Sequence, residues 1–175
     1  MSDFAVRADN PSFAAVAGTV KLVGLDFDGV MTDNSVYVFE NGREAVRCSR
    51  LEGYGLRRLV AAGAEPIIIS TEVNGVVTAR ANKLKIACIQ DVPDKVAAMR
   101  ELLNKRGLEW DQAAFLGNDV NDLDVLRRVR LPAVVADAHE CVLGQGFFVT
   151  RRKGGDGAVR EFCDAIAAVR ESGAT

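Results

Sequence analysis

The segment Leu22-Val23-Gly24-Leu25-Asp26-Phe27-Asp28-Gly29 restricts the possible folds more than any other part of the chain. An apolar run that passes straight into two carboxylates one residue apart, and then into glycine, describes a buried parallel strand delivering its acids to the carboxyl edge of a sheet. In extended backbone alternate residues share a side, so Asp26 and Asp28 point together and Phe27 turns back to the core. Two acids held this close repel unless a cation lies between them. Oxygen-only ligation favours magnesium. One acid of such a pair can act as a nucleophile and the other as a general acid/base, provided their environments differ. Taken alone, the tetrapeptide is equally a polar turn after a strand, so the other strand ends must decide.

Two further apolar runs end in polar clusters. Glu65-Pro66-Ile67-Ile68-Ile69 leads into Ser70-Thr71, and Ala113-Ala114-Phe115-Leu116 leads into Gly117-Asn118-Asp119-Val120-Asn121-Asp122. Strands of a parallel sheet present their carboxyl ends to one crevice, so these clusters converge with Asp26 and Asp28 on a metal-dependent phosphate site. Ser70 is placed to bond a phosphoryl oxygen, with a helix N-cap as its other role. Lys95 falls in the first turn of a helix opened by Pro93 and buried through Val96, Met99 and Leu103, where the helix dipole disfavours a cation that lacks an anionic partner. Arg80 and Lys83 share one side of a helix spanning roughly residues 74–84 and are candidate anion holders or simply a solvated basic face.

The remaining elements fill in an alternation. Ser49 and Glu52 have capping-box spacing ahead of a helix with Leu56, Leu59 and Val60 facing inward. Residues 86–89, 131–136 and 147–150 are further strands, His139 is a turn or helix-start residue, and the closing helix shows Val159, Phe162, Cys163 and Ile166 at core spacing. This order specifies an α/β fold with a doubly wound, mostly parallel sheet and helices on both faces. Residues 35–39 and 44–48 flank Glu40-Asn41-Gly42-Arg43, an Asn-Gly hairpin that forms a small flap at the active edge.

With 175 residues and 49% hydrophobic content, one domain over residues 20–175 is expected, preceded by an N-terminal extension over 1–19 that packs on a neighbour. A net charge of −2 and a single basic triplet, Arg151-Arg152-Lys153, argue against nucleic acid or an anionic membrane as partner. No apolar run approaches the ~20 residues of a membrane span. Cys48, Cys88, Cys141 and Cys163 form no Cys-x-x-Cys pair, so neither a zinc nor a redox motif is expected and a reduced, cytoplasmic setting is.

Taken in order, Asp26-Phe27-Asp28-Gly29, Ser70, Lys95 and Gly117-Asn118-Asp119-Val120-Asn121-Asp122 resemble the motifs of the haloacid dehalogenase-like superfamily of phosphatases, over residues 21–161. The hairpin in place of a cap domain and the tail Gly154-Gly155-Asp156-Gly157-Ala158-Val159-Arg160-Glu161 are similar to the 3-deoxy-D-manno-octulosonate 8-phosphate phosphatase branch. Within it, Ser70-Thr71-Glu72 and Asn118 look like the phosphatases of sialic-acid synthesis and the phosphatase-like module of acylneuraminate cytidylyltransferases, because octulosonate enzymes usually carry Thr-Gly-Arg and an Asp there.

The resemblance implies a magnesium-dependent phosphatase acting on a sugar-acid phosphate. A nonulosonate 9-phosphate such as N-acetylneuraminate 9-phosphate is favoured; octulosonate 8-phosphate hydrolysis and a non-catalytic oligomerisation module are the alternatives. It also implies roles. Asp26 attacks phosphorus to form an aspartyl-phosphate, Asp28 protonates the leaving oxygen and then activates water, and Ser70 and Lys95 neutralise the phosphoryl oxygens. Asp26, the backbone carbonyl of Asp28 and Asp119 hold magnesium, with Asn118 and Asp122 supporting them. Thr71, Glu72, Arg80, Lys83, Arg152 and Lys153 are the substrate-binding candidates. Subunits are expected to form a homotetramer with hairpins at its centre, a neighbour's Arg151, Arg152 or Lys153 meeting the sugar-acid carboxylate.

Overall fold

In the computed structural model, which describes residues 4–173, a short helix α1 (Pro11–Ala17) precedes strand β1 (Leu22–Leu25), and a hairpin of β2 (Thr32–Val38) and β3 (Glu44–Cys48) follows it. The chain then alternates through α2 (Glu52–Ala61), β4 (Glu65–Ile69), α3 (Val76–Leu84), β5 (Ala87–Ile89), α4 (Lys95–Arg106) and β6 (Ala113–Gly117). It closes with α5 (Leu123–Leu126), β7 (Leu131–Val134), α6 (Glu140–Leu143), β8 (Phe148–Val149) and α7 (Ala158–Gly173). The sheet order is β5-β4-β1-β6-β7-β8, and every pairing is parallel.

All four residues of β1 are buried, as the unbroken apolar run requires. Its position at the point where the strand order reverses matters more. Leu25 pairs with Ile68 on one side and Leu116 on the other, so the chain segments after β1, β4 and β6 leave the sheet side by side. Gly24 lets α4 approach, since a Cβ there would lie 2.5 Å from Phe115 Cδ2 and 2.7 Å from Met99 Cε. Helix α7 packs against both α1 and α2, and α4 packs against α5.

The structure corrects several local expectations. The N-terminal segment lies within the body, not outside it: Val6, Phe13 and Ala17 are buried, Phe13 meets Phe148 and Phe162 edge-on, and Ala5 bridges to Val149. A short amphipathic helix finds its apolar partner in α7 of the same chain. The capping box at Ser49 and Glu52 does not form. Ser49 Oγ accepts from Leu51 N, whereas the buried Glu52 carboxylate accepts from Gly157 N at 3.1 Å and Arg160 N at 2.8 Å. Glu52 therefore caps α7, a helix distant in sequence. Val60, expected inward, is exposed, because Leu56 and Leu59 already define the buried stripe.

Ser70 is not the cap of α3 either; its Oγ accepts from Glu72 N, and Asn74 Oδ1 accepts from Val76 N. Asp94, not Pro93, opens α4 by accepting from Val96 N and Ala97 N. The hairpin forms as expected, and Val36, Tyr37, Val38 and Phe39 on it are each more than half exposed. Among the described residues no helix is long and apolar enough to cross a membrane.

Candidate active site

The site grows out of the end of β1. Asp26 N donates to Leu116 O at 3.0 Å, which holds Asp26 level with the end of β6. Its Oδ1 accepts from Phe27 N at 2.8 Å and pairs with Lys95 Nζ at 2.7 Å. The chain then curls tightly: Val30, Met31 and Thr32 all donate their N–H groups to Phe27 O, and Gly29 N donates to Thr32 Oγ1. Asp26 is buried and Asp28 half-buried, so the pair is split between an enclosed acid and an accessible one. The tail glycines clamp this loop, since a Cβ on Gly154 would stand 1.9 Å from Gly29 O, and Gly155 N donates to Val30 O. No larger residue fits there, which explains the Gly154-Gly155 pair.

Lys95 is buried between two carboxylates, 2.7 Å from Asp26 Oδ1 and 2.6 Å from Asp122 Oδ1. Burial works against its charge, but the two acids outweigh it and hold its pKa above the ordinary lysine range. Burial, and then the charge of Asp122, push Asp26 up to about 7 in spite of Lys95. Asp28 is also raised, by burial first and by Glu72 next, with a hydrogen bond from Thr32 opposing. The two acids differ in kind. Asp26 has one oxygen fixed by an ammonium, whereas Asp28 makes no ion pair among the described residues.

At the end of β6 the neighbouring Asn118 and Asp119 take different places along the cleft. The Asn118 side-chain amide, expected in support, stands 3.0 Å from Asp28 O and 3.1 Å from Asp26 Oδ2. With its NH2 inward it donates to both. Turned over, its oxygen joins theirs, and three converging oxygens are a set that suits a hard divalent cation. Asp119, expected as a ligand beside Asp26, accepts instead from Val120 N at 2.6 Å and lies in a group with His139 and Cys141. Asp122 does not face the cleft; its Oδ2 accepts from Asn118 N and Asp119 N and so sets the loop. His139 is the expected helix-start residue, with Nδ1 accepting from Cys141 N.

Asp26, Asp28, Ser70, Thr71, Asn118 and Asp119 line one cleft of about 310 Å³. Beside it, a recess of about 200 Å³ is bounded by Asp28, Asn34, Glu44, Glu72 and Asn74. Glu72 Oε1 accepts from Val73 N and Asn74 N, so its carboxylate is fixed at the rim. Sequence patterning gives no site signal at Asn34, Glu44 or Asn74; Asn34 adopts φ 63° where the pairing of β2 is irregular.

Arg80 and Lys83 line neither cavity: Arg80 Nη2 donates to Ser49 O at 2.6 Å, and Lys83 is exposed. Arg151, Arg152 and Lys153 are exposed and also stand apart from the cleft of their own chain. Arg151 pairs with Glu161, and with Arg152 it lines a larger groove of about 570 Å³ beside Arg7 and Asp9. The acids and cations of that groove pair off near the surface, Arg7 with Asp9 and Arg151 with Glu161, whereas Asp26, Lys95 and Asp122 are buried together.

Comparison with known proteins agrees with this geometry. No family model matches the chain. A Yersinia pestis protein named 3-deoxy-D-manno-octulosonate 8-phosphate phosphatase KdsC is 38% identical over 151 residues, spanning 86% of this chain and 81% of that one. The chain belongs to the KdsC-type phosphatases of the haloacid dehalogenase-like superfamily. It is thus a phosphoric monoester hydrolase by family. A solved Yersinia pestis structure of that description superposes with a TM-score of 0.87 at 36% identity, covering 90% of this chain and 86% of the other.

A Moraxella catarrhalis 3-deoxy-D-manno-octulosonate 8-phosphate phosphatase, solved in complex with a magnesium ion, a phosphate ion and a KDO molecule, gives 0.84 at 30% identity, with 91% and 92% covered. These names carry the octulosonate, the alternative raised above, and not the nonulosonate that Ser70-Thr71-Glu72 and Asn118 favoured.

Proposed function

We propose that this KdsC-type phosphatase hydrolyses 3-deoxy-D-manno-octulosonate 8-phosphate with magnesium as cofactor. The observation that supports it most is the division of labour at Asp26: Lys95 engages Oδ1, and Oδ2 stands with Asp28 O and Asn118 at the cleft. Asp26 attacks phosphorus through its carboxylate and forms an aspartyl-phosphate. Asp28, accessible and raised in pKa, protonates the leaving sugar oxygen and afterwards takes a proton from the hydrolytic water. Ser70 Oγ faces the transferring oxygens, and Lys95 supplies a compact positive charge behind them.

Asp26, the backbone carbonyl of Asp28 and the amide oxygen of Asn118 would hold magnesium, which supplies charge neutralisation between carboxylate and phosphate. In this assignment Asn118 takes the position expected of Asp119. The recess beside the cleft offers Glu44, Glu72, Asn34 and Asn74 to sugar hydroxyls, and no lysine or arginine. Recognition of the sugar-acid carboxylate therefore falls to a neighbouring subunit's Arg151, Arg152 or Lys153 in a homotetramer joined through the exposed hairpins.

Glu72 favours a second reading, nonulosonate 9-phosphate hydrolysis, because it stands where octulosonate enzymes usually carry arginine. Turnover of octulosonate 8-phosphate and N-acetylneuraminate 9-phosphate measured side by side with magnesium separates the readings. A kcat/KM at least about tenfold higher for the octulosonate is expected; the reverse ratio would install the second reading. Turnover of neither would leave the non-catalytic oligomerisation role.

A further inference from the structure

We propose that Asp119, His139 and Cys141 form a second cation site, distinct from the oxygen set at Asp26, that takes a thiophilic divalent ion of the zinc class. One carboxylate oxygen, one imidazole nitrogen and one thiol sulfur lie within 4.8 Å of one another. They come from two segments brought together by the sheet: Asp119 follows β6, and His139 and Cys141 open α6 beyond β7. His139 N donates to Asn118 O at 2.8 Å, which ties the start of α6 to the end of β6. Cys141 Sγ stands 4.0 Å from Asp119 Oδ1. His139 Nδ1 accepts from Cys141 N at 3.2 Å, so that nitrogen is unprotonated, the state a metal needs, and an ion bound through it would take the place of this hydrogen bond.

The mixed donor set decides the ion. Magnesium takes oxygen ligands and shuns sulfur, whereas zinc and cobalt accept imidazole and thiolate together. Three protein ligands leave a fourth tetrahedral position open, as in sites that keep a water or a substrate atom. Binding would draw the donors to about 3.5 Å from one another, a small side-chain adjustment for half-exposed groups, and would release the Cys141 proton to solvent. Because Asp119 also lines the cleft holding Asp26, the ion would sit at the rim of the phosphate site. Sequence spacing conceals this site, since Asp119 is remote from His139 and Cys141 and no Cys-x-x-Cys occurs.

The test does not depend on the substrate. Wild type, Cys141→Ser and His139→Ala are titrated with zinc by calorimetry in excess magnesium, and with cobalt(II) while following thiolate-to-cobalt absorption. One zinc per chain is expected in the wild type, with affinity at least tenfold weaker in each variant and the cobalt–thiolate band lost in Cys141→Ser. Magnesium-dependent phosphate release should be unchanged in both variants when no zinc is added. Zinc affinity that both variants leave unaltered, or a wild type that gives no cobalt–thiolate band, would overturn the proposal.

Discussion

At Asp26 the two oxygens of one carboxylate have different partners, and the difference comes from Lys95. The ammonium neutralises Oδ1 and leaves Oδ2 beside Asp28 O and Asn118. Asp28→Asn keeps the shape of the loop but removes the proton carrier, so kcat should fall by at least about 100-fold in steady-state phosphate release, and a wild-type rate would reassign the general acid. Asn118→Asp adds a charge to the three-oxygen set, and calorimetry should show magnesium binding tightened roughly tenfold. Unchanged affinity would deny Asn118 a place beside the ion. Asp26, Asp28 and Lys95 were legible in the sequence because strand alternation and the helix dipole constrain them. The nearness of Asn118 to Asp26 was not, since Asn118 and Asp119 leave one strand end together and only the backbone path, extended at Asp119 with φ −144° and ψ −176°, separates their side chains.

Helix α7 shows the same limit at the scale of elements. Its apolar stripe was plain, and Val159, Phe162, Cys163 and Ile166 are all buried. Its cap was not, because Glu52 lies on α2 and only the tertiary fold brings the carboxylate to Gly157 N and Arg160 N. Burial pushes Glu52 up to about 7, against the two N–H bonds that favour its anion. The sign follows from that direction. The folded state binds the proton more tightly than the unfolded chain, whose carboxyl titrates near 4.5, so the stabilisation from this group is complete below about 4.5 and is lost as pH rises to about 7. Glu52→Gln should abolish that part of the pH dependence. Denaturant unfolding of wild type and variant between pH 4.5 and 7.5, with magnesium present, should give a stability difference that varies across this window by an amount on the order of 3 kcal/mol. A difference that stays constant with pH would mean that Glu52 does not titrate there.

For the whole molecule, the parallel α/β architecture and the convergence of three strand ends were readable from the alternation of apolar runs, whereas the order of strands in the sheet and the place of residues 4–19 within the body depended on packing that no local pattern encodes. The hairpin is the feature one subunit leaves unfinished. Two strands that stand apart from the main sheet and expose Val36, Tyr37, Val38 and Phe39 are poorly supported by a lone chain. Sedimentation should therefore find a tetramer, and Tyr37→Asp with Val38→Asp should yield a smaller species with weakened turnover; a fully active wild-type monomer would remove the shared-site account. The central claim is that Asp26 attacks phosphate with a divalent cation beside it. Phosphate release from octulosonate 8-phosphate tests this most directly when wild type and Asp26→Asn are compared with magnesium and with a chelator. The account predicts turnover only in the wild type with magnesium, and a loss of at least about 1,000-fold in the variant at unchanged circular dichroism. Asp26→Asn turning over at the wild-type rate, or a wild type indifferent to the chelator, would contradict it.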